Sequence, residues 1–396
     1  MNIDLKWYKE EVEIEHQNIL QYWLNNTIDK KREGFYGRID ENNKVDVDAP
    51  KGAVLNARIL WSFSAGYLHN PKQEYLDAAH RAFQFITKYL IDREDDGAYW
   101  SVTAEGKPHN TEKQLYGIAF ILYGLSEYYR ASKNEAAKHE AIVTYTTMLE
   151  HGHDKEYGGF WEGFDRQWKK PMEVGYRKSM NTHLHVIESF ANLYLAWPDG
   201  GLKEQIRQLL IIFADKIIDN KTGHQRLFFD ARWNVVPPEI ESYGHDIEAA
   251  WLLLESAMII KDEQMIKRFK DLSMKLTLAG RKGVDKDGGM WYELHIHDKK
   301  LNSQKHWWPQ SEAMVGFFNA WQLTGDEKYL NDSINTWKFV KAHILDKKYG
   351  EWYSGVYNDR TIIPGGDKVG LWKCPYHNSR ACLEIIKRID EVASHS

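Results

Sequence analysis

The chain has 396 residues, 43% hydrophobic and 28% charged, with a formal net charge of −5. This is apolar material enough for a core, and the acidic balance leaves no basic face for a nucleic acid partner. No basic leader opens the chain at Met1 and no stretch reaches the roughly 20 apolar residues of a membrane span, so a soluble cytoplasmic protein without a membrane partner is expected.

From the N-terminus onward, a glycine–aromatic phrase recurs: Gly34-Phe-Tyr-Gly37, Gly97-Ala-Tyr-Trp100, Gly159-Phe-Trp161, Gly223-His-Gln-Arg-Leu-Phe228, Gly289-Met-Trp-Tyr292 and Gly350-Glu-Trp-Tyr353. The copies are spaced by 63, 62, 64, 66 and 61 residues. Most are followed by brief alternation and a polar turn such as Ala104-Glu-Gly106 or His297-Asp298, the signature of a short β-hairpin. Between hairpins the 3.6-residue pattern fits two helices. One is amphipathic, as in Tyr75–Ile86 and Leu202–Phe213, and belongs outside. The other is apolar nearly all round, as in Ile59–Tyr67, Ile118–Tyr123 and Ala249–Leu254, and belongs inside. Six such pairs predict an all-α chain, an (α/α)6 barrel of six helix pairs with short β-hairpins between them, forming one domain over residues 1–396. An open solenoid is the competing architecture.

Aligning the inner helices by their apolar halves places Arg58, Tyr116, His185, Glu248, Glu312 and Arg380 at one level, which a closed barrel turns into a ring. About one turn earlier come Asn181, Trp308 and Tyr376, with His245 and His377 at the neighbouring position. Two imidazoles from the fourth and sixth repeats can thus face a small ligand from two sides. A histidine in isolation is more often a surface or core group than a catalyst, and it is coincidence with the repeat that singles out His185, His245 and His377. His183, two residues before His185, points aside on a helix and is read as structural. Glu248 shares a face with His245, and its most economical role is to hold or polarise an imidazole. A di-metal site would need more carboxylates than the ring offers. Trp307, Trp308 and Trp372, just ahead of polar helix starts, suit either sugar stacking or hairpin packing. The two cysteines, Cys374 and Cys382, have neither disulfide-framework nor zinc spacing. No P-loop, dinucleotide fingerprint or nucleophile elbow is present.

The segments Lys51-Gly-Ala-Val-Leu-Asn-Ala-Arg58, Asn181-Thr-His-Leu-His185, Gly244-His-Asp-Ile-Glu248, Trp307-Trp-Pro-Gln-Ser-Glu312 and Trp372-Lys-Cys-Pro-Tyr-His377 resemble those of cellobiose 2-epimerases, within the N-acylglucosamine 2-epimerase superfamily, over essentially the whole chain. The resemblance implies an (α/α)6 barrel and cofactor-free, metal-free epimerisation at C2 of the reducing-end glucose in β-1,4-linked disaccharides. By resemblance, His245 and His377 match the acid/base pair and His185 a third essential histidine. Arg58, Tyr116, Asn181, Glu248, Trp308 and Trp372 match positions that bind or orient the sugar. A small-molecule disaccharide is the expected partner, for a monomer or weak homo-oligomer. The competing readings are an aldose–ketose isomerase of the mannose isomerase type, an N-acylglucosamine 2-epimerase, a glycoside hydrolase on the same barrel, and a non-catalytic sugar-binding protein.

Overall fold

Residues 5–172 and 174–394 are described by a computed structural model. Among them, helices alternate outer and inner along the chain: α1 (Lys6–Asn26) and α2 (Ala53–His69), α3 (Gln73–Phe85) and α4 (Leu115–Ser132), α5 (Glu135–Thr147) and α6 (Met180–Ala196), α7 (Gly200–Ile212) and α8 (Tyr243–Ile259), α9 (Glu263–Arg281) and α10 (Trp307–Thr324), α11 (Glu327–Phe339) and α12 (Tyr376–Ser394). The residue pattern explains the division. In α2 every side chain from Ala53 to Gly66 is buried, because the helix has neighbours on all sides. In α3 only Tyr75, Ala78, Ala79, Ala82, Phe83 and Phe85 are buried, one stripe at helical spacing. Each even-numbered helix packs on the next, and α12 packs back on α2, so the ring closes and the solenoid is excluded.

A collar of small sheets closes the same ring at the N-terminal ends of the inner helices. Residues leading into an inner helix pair with the hairpin of the following repeat: Lys51–Gly52 with Ser101–Val102, Lys113–Gln114 with Gly163–Phe164, Lys178–Ser179 with Phe228–Phe229, Ile240–Ser242 with Glu293–His295, and Lys305–His306 with Gly355–Val356. Val369 bridges Ile39, joining the last repeat to the first. The hairpins are thus where the glycine–aromatic phrases place them. The phrase glycines Gly34, Gly97, Gly159, Gly223 and Gly350 all take φ between 70° and 82°, a conformation that glycine adopts without a steric cost. A Cβ on Gly159 would also lie 2.6 Å from His183 Nε2.

Under the collar, four outer helices (α3, α5, α7 and α11) finish in a π-helical turn and release the chain into a loop that begins near an aspartate. Aspartates at the exits of five outer helices, all but α7, hold buried lysines that precede the inner helices: Lys51–Asp29 at 2.9 Å, Lys113–Asp92 at 2.8 Å, Lys178–Asp154 at 2.6 Å, Lys305–Asp285 at 2.7 Å and Lys368–Asp346 at 2.5 Å. The other aspartate oxygen caps the loop, as where Asp154 Oδ1 accepts the amides of Glu156 and Tyr157. Each pair ties an outer-helix exit to an inner-helix entrance. No helix among the described residues is long and apolar enough to cross a membrane.

Candidate active site

The first two turns of the inner helices open into a cavity of about 350 Å³ inside the collar. Arg58, Tyr116, Asn181, His185, His245, Glu248, Trp308, Trp372 and His377 all line it, so every candidate residue meets in one place. Tyr292, His306 and Trp307 complete the wall. Because the pocket sits at helix N-termini, the partial positive ends of the surrounding helix dipoles face it and favour a developing anion.

Each of the three imidazoles is held through Nδ1, which leaves Nε2 for a ligand. His245 Nδ1 lies 2.7 Å from Ser242 Oγ, His377 Nδ1 is 2.6 Å from Glu312 Oε1, and His185 Nδ1 is 2.9 Å from Glu188 Oε2. The rings of His245 and His377 lie against the same indole, Trp308, with centroids at 4.6 and 5.8 Å. Burial pushes His245 down to about 3, assisted by the nearby His185. Burial, Arg58 and Arg380 hold His377 well below the usual histidine range, and burial lowers His185 against the opposing pull of Glu188. All three therefore favour the neutral, proton-accepting form.

Arg58 spans two elements: its Nη2 donates to Tyr116 Oη at 2.9 Å and its Nη1 to the Trp372 carbonyl at 3.2 Å. The guanidinium packs over Phe120 and Tyr376, 4.1 and 4.7 Å from their ring centres, and its Nε has no partner. Asn181 Oδ1 is likewise unpartnered. These are polar groups with unused capacity in a pocket rimmed by Trp372, which is 51% exposed.

Two expectations change. Glu248 does not orient an imidazole. Its carboxylate accepts from Arg380 Nη2 at 2.9 Å and stands 3.9 Å from His377 Nδ1, whereas Glu312 makes the short bond to that nitrogen. Sharing a helix face with His245 was insufficient, because the tight strand-to-helix turn gives Ser242 the closer approach. Tyr116 is also one turn higher than the ring alignment places it: it is the second residue of α4, level with Asn181 and Trp308, while Phe120 occupies the level of Arg58 and His185. His183 is structural as expected, its Nε2 accepting the Phe160 amide at 2.9 Å.

Glu188, Ser242, Tyr292 and His306 escape the sequence reading. Glu188 and Ser242 each sit three residues from the histidine they hold, a spacing that carries a signal. Tyr292 and His306 lie against each other, tilted, with ring centroids 4.4 Å apart, but come from a hairpin phrase and a strand, where nothing local marks them. Glu248, Glu312 and His377 bring potential metal ligand atoms within 4.8 Å of one another, but both carboxylates already accept from Arg380.

The sequence profile of the N-acylglucosamine 2-epimerase (GlcNAc 2-epimerase) family matches residues 34–379. The cellobiose 2-epimerase of Bacteroides fragilis is 39% identical over 93% of this chain and 95% of its own. That of Dictyoglomus turgidum is 38% identical over 98% of this chain and 100% of its own. The solved structure of cellobiose 2-epimerase from Spirochaeta thermophila superposes with a TM-score of 0.93 at 34% identity, covering 98% of both chains. With the helix ring, the pocket and these relatives in agreement, the chain belongs to the N-acylglucosamine 2-epimerase family.

Proposed function

We propose that the chain is an isomerase of the cellobiose 2-epimerase type, interconverting reducing-end D-glucose and D-mannose in β-1,4-linked disaccharides such as cellobiose, and lactose with epilactose. The observation that carries this reading is the pair His245 and His377, from α8 and α12, set against one indole with Nδ1 engaged on each.

The chemistry follows from the sugar. C2–H is acidic only beside an aldehyde, so the ring opens first, the hydroxyl proton on O1 being exchanged for one on the ring oxygen. One imidazole, neutral, then takes the C2 proton and leaves a cis-enediolate. Arg58, His185 and the inner-helix N-termini are donors already in place for that charge, and such a preorganised donor is worth about 3–4 kcal/mol. The other imidazole, protonated, returns a proton to the opposite face and inverts C2, so a turnover moves one proton between the two histidines. Each positioned acid or base contributes about 10²–10⁴-fold. A hydrolase needs two carboxylates on either side of a glycosidic bond, but Glu248 and Glu312 converge on one guanidinium. We place the whole chain in one catalytic domain.

Incubation with cellobiose, lactose, glucose, mannose and N-acetylglucosamine in D₂O, followed by NMR, tests the reading. An epimeric aldose carrying deuterium at C2 is expected from the disaccharides, and abolished in folded His245→Ala and His377→Ala. Ketose alone points to an isomerase of the mannose isomerase type, and substantial turnover by either variant refutes the two-base assignment.

A further inference from the structure

The barrel has a second cavity, also about 350 Å³, at the opposite end, where the C-terminal halves of the inner helices meet. Trp61, Tyr123, Glu188, Trp251, Arg380 and Glu384 are among its walls. None of these lines the substrate pocket. Arg380 is therefore reached from the rear, yet its bonds run forward to the groups that hold the imidazoles. Its Nη1 donates to Glu188 Oε1, and Glu188 holds His185 through its other oxygen. Its Nη2 donates to Glu312 Oε1 at 2.5 Å and to Glu248 Oε1 at 2.9 Å, and Glu312 Oε1 also takes His377 Nδ1. Tyr376 Oη completes the cluster, and the guanidinium plane is packed by the Tyr376 and Trp251 rings at 4.2 and 4.9 Å.

We propose that Arg380 is a positioning residue whose single guanidinium sets the carboxylates behind two imidazoles at once, Glu188 behind His185 and Glu312 behind His377, and that the rear cavity gives a small cation access to this place without passing the substrate. The inference rests on the epimerase reading for the meaning of the histidines, but the geometry of the cluster is independent of which sugar is bound. One cation holds three buried carboxylates. Without it Glu188, Glu248 and Glu312 repel one another and turn from their histidines, and a misplacement of about 1 Å costs roughly 100-fold in rate.

The test is Arg380→Ala, which joins a guanidinium-sized hole to the rear cavity. The expected result is a kcat lower by about 100-fold with KM little changed, and titration midpoints of His185 and His377 displaced from their wild-type values in ¹⁵N NMR of the sugar-free protein. Guanidinium ion at concentrations well below the denaturing range restores both readouts, saturably and without competition from cellobiose, while urea, of the same shape and no charge, does not. If Arg380→Ala fails to fold, Arg380→Lys decides: a loss of kcat with shifted histidine titrations supports the role, and wild-type values for both overturn it. Unmoved His185 and His377 signals in folded Arg380→Ala, or rescue by urea equal to that by guanidinium, overturn it too. Failure of the epimerase reading shows separately, as wild-type protein that makes no epimer while its histidine signals still respond to Arg380.

Discussion

Replacing Glu312 with glutamine preserves the size of the side chain and removes one acceptor. In the wild type the carboxylate takes three donors, His377 Nδ1 at 2.6 Å and Arg380 Nη2 at 2.5 Å on one oxygen and Trp251 Nε1 at 3.1 Å on the other. An amide has a single accepting oxygen, so its NH₂ must face a donor whichever way it turns. A hydrogen bond to a charged group contributes about 1.5–3 kcal/mol, and a buried donor left without a partner costs about 1–3 kcal/mol. If the first figure is lost from the protonated state of His377, kcat falls about 10- to 100-fold, since each 1.4 kcal/mol is a factor of ten.

The sign on pH follows. Burial and the charges of Arg58 and Arg380 already hold His377 low, and Glu312 supplies a negative charge that favours its protonated form. Removing that charge moves the limb of kcat that requires protonated His377 to lower pH. Glu248→Gln is the control. Burial and the neighbouring Glu312 raise Glu248 above the usual carboxylate range, and its carboxylate stands 3.9 Å from His377 Nδ1 where Glu312 stands at 2.6 Å, so an amide there disturbs that imidazole less. Initial rates of cellobiose epimerisation by NMR between pH 5 and 9, with unfolding curves for each variant, check both. A Glu312→Gln kcat within about twofold of wild type with an unshifted limb, or a larger loss in Glu248→Gln, refutes the reasoning.

Elsewhere the effects are on stability or binding. His183 is fully buried and pushed by burial to about 3, so the unfolded chain takes up its proton first as pH falls below ~6.5. Wild type then loses about 1.4 kcal/mol per pH unit relative to His183→Gln, up to roughly 4–5 kcal/mol by pH 3. Urea unfolding at pH 7, 5 and 4 should show the gap between them shrinking, and a constant gap contradicts it. Lys178→Met strands Asp154 and the carbonyls of Gly158 and Ala231, which should cost about 3–5 kcal/mol while kcat of the folded protein is kept; a loss under 1 kcal/mol by denaturant titration would count against this. Trp372→Ala leaves the Trp372 carbonyl on Arg58 and removes only the exposed ring, so KM for cellobiose should rise about 2- to 10-fold with little change in kcat; an unchanged KM means the ring does not cover the sugar.

How much of this is legible in the sequence depends on the range of the interaction. The alternation of α3-like and α2-like helices is a local pattern, and five of the six phrase glycines mark a left-handed turn, so the barrel can be read directly. The pocket is legible because a closed ring turns equal repeat positions into neighbours, which is how Arg58 from α2 and His377 from α12 meet. What stays hidden is which carboxylate reaches which imidazole. Glu248 and Glu312 hold corresponding positions in consecutive repeats, and only the three-dimensional angle between α10 and α12 gives His377 to Glu312. The Tyr116 register slips for a similar reason: α4 carries aromatic residues at both Tyr116 and Phe120, and apolar periodicity cannot tell one turn from the next.

The repeat also points to the site where it fails. Lys51, Lys113, Lys178 and Lys305 all stand two residues before an inner helix, each on a buried aspartate. In the fourth repeat that place is Glu241, and the ion pair is replaced by His224, 3.3 Å from Glu241 and 2.6 Å from Asp246, with Lys282 Nζ 3.1 Å away. Asp246 Oδ1 also accepts the Gln225 amide, and Gln225 Nε2 donates to the His245 carbonyl at 2.8 Å. The altered entrance thus fastens the backbone on both sides of Ser242 and His245, the one imidazole of the three with no carboxylate behind it. A hydroxyl does not stabilise an imidazolium as a carboxylate does, so the fourth repeat holds its histidine by backbone geometry where the third and sixth use charge. On the proposed two-base mechanism, the two faces of the sugar accordingly meet bases of different build, His377 on Glu312 and His245 on Ser242.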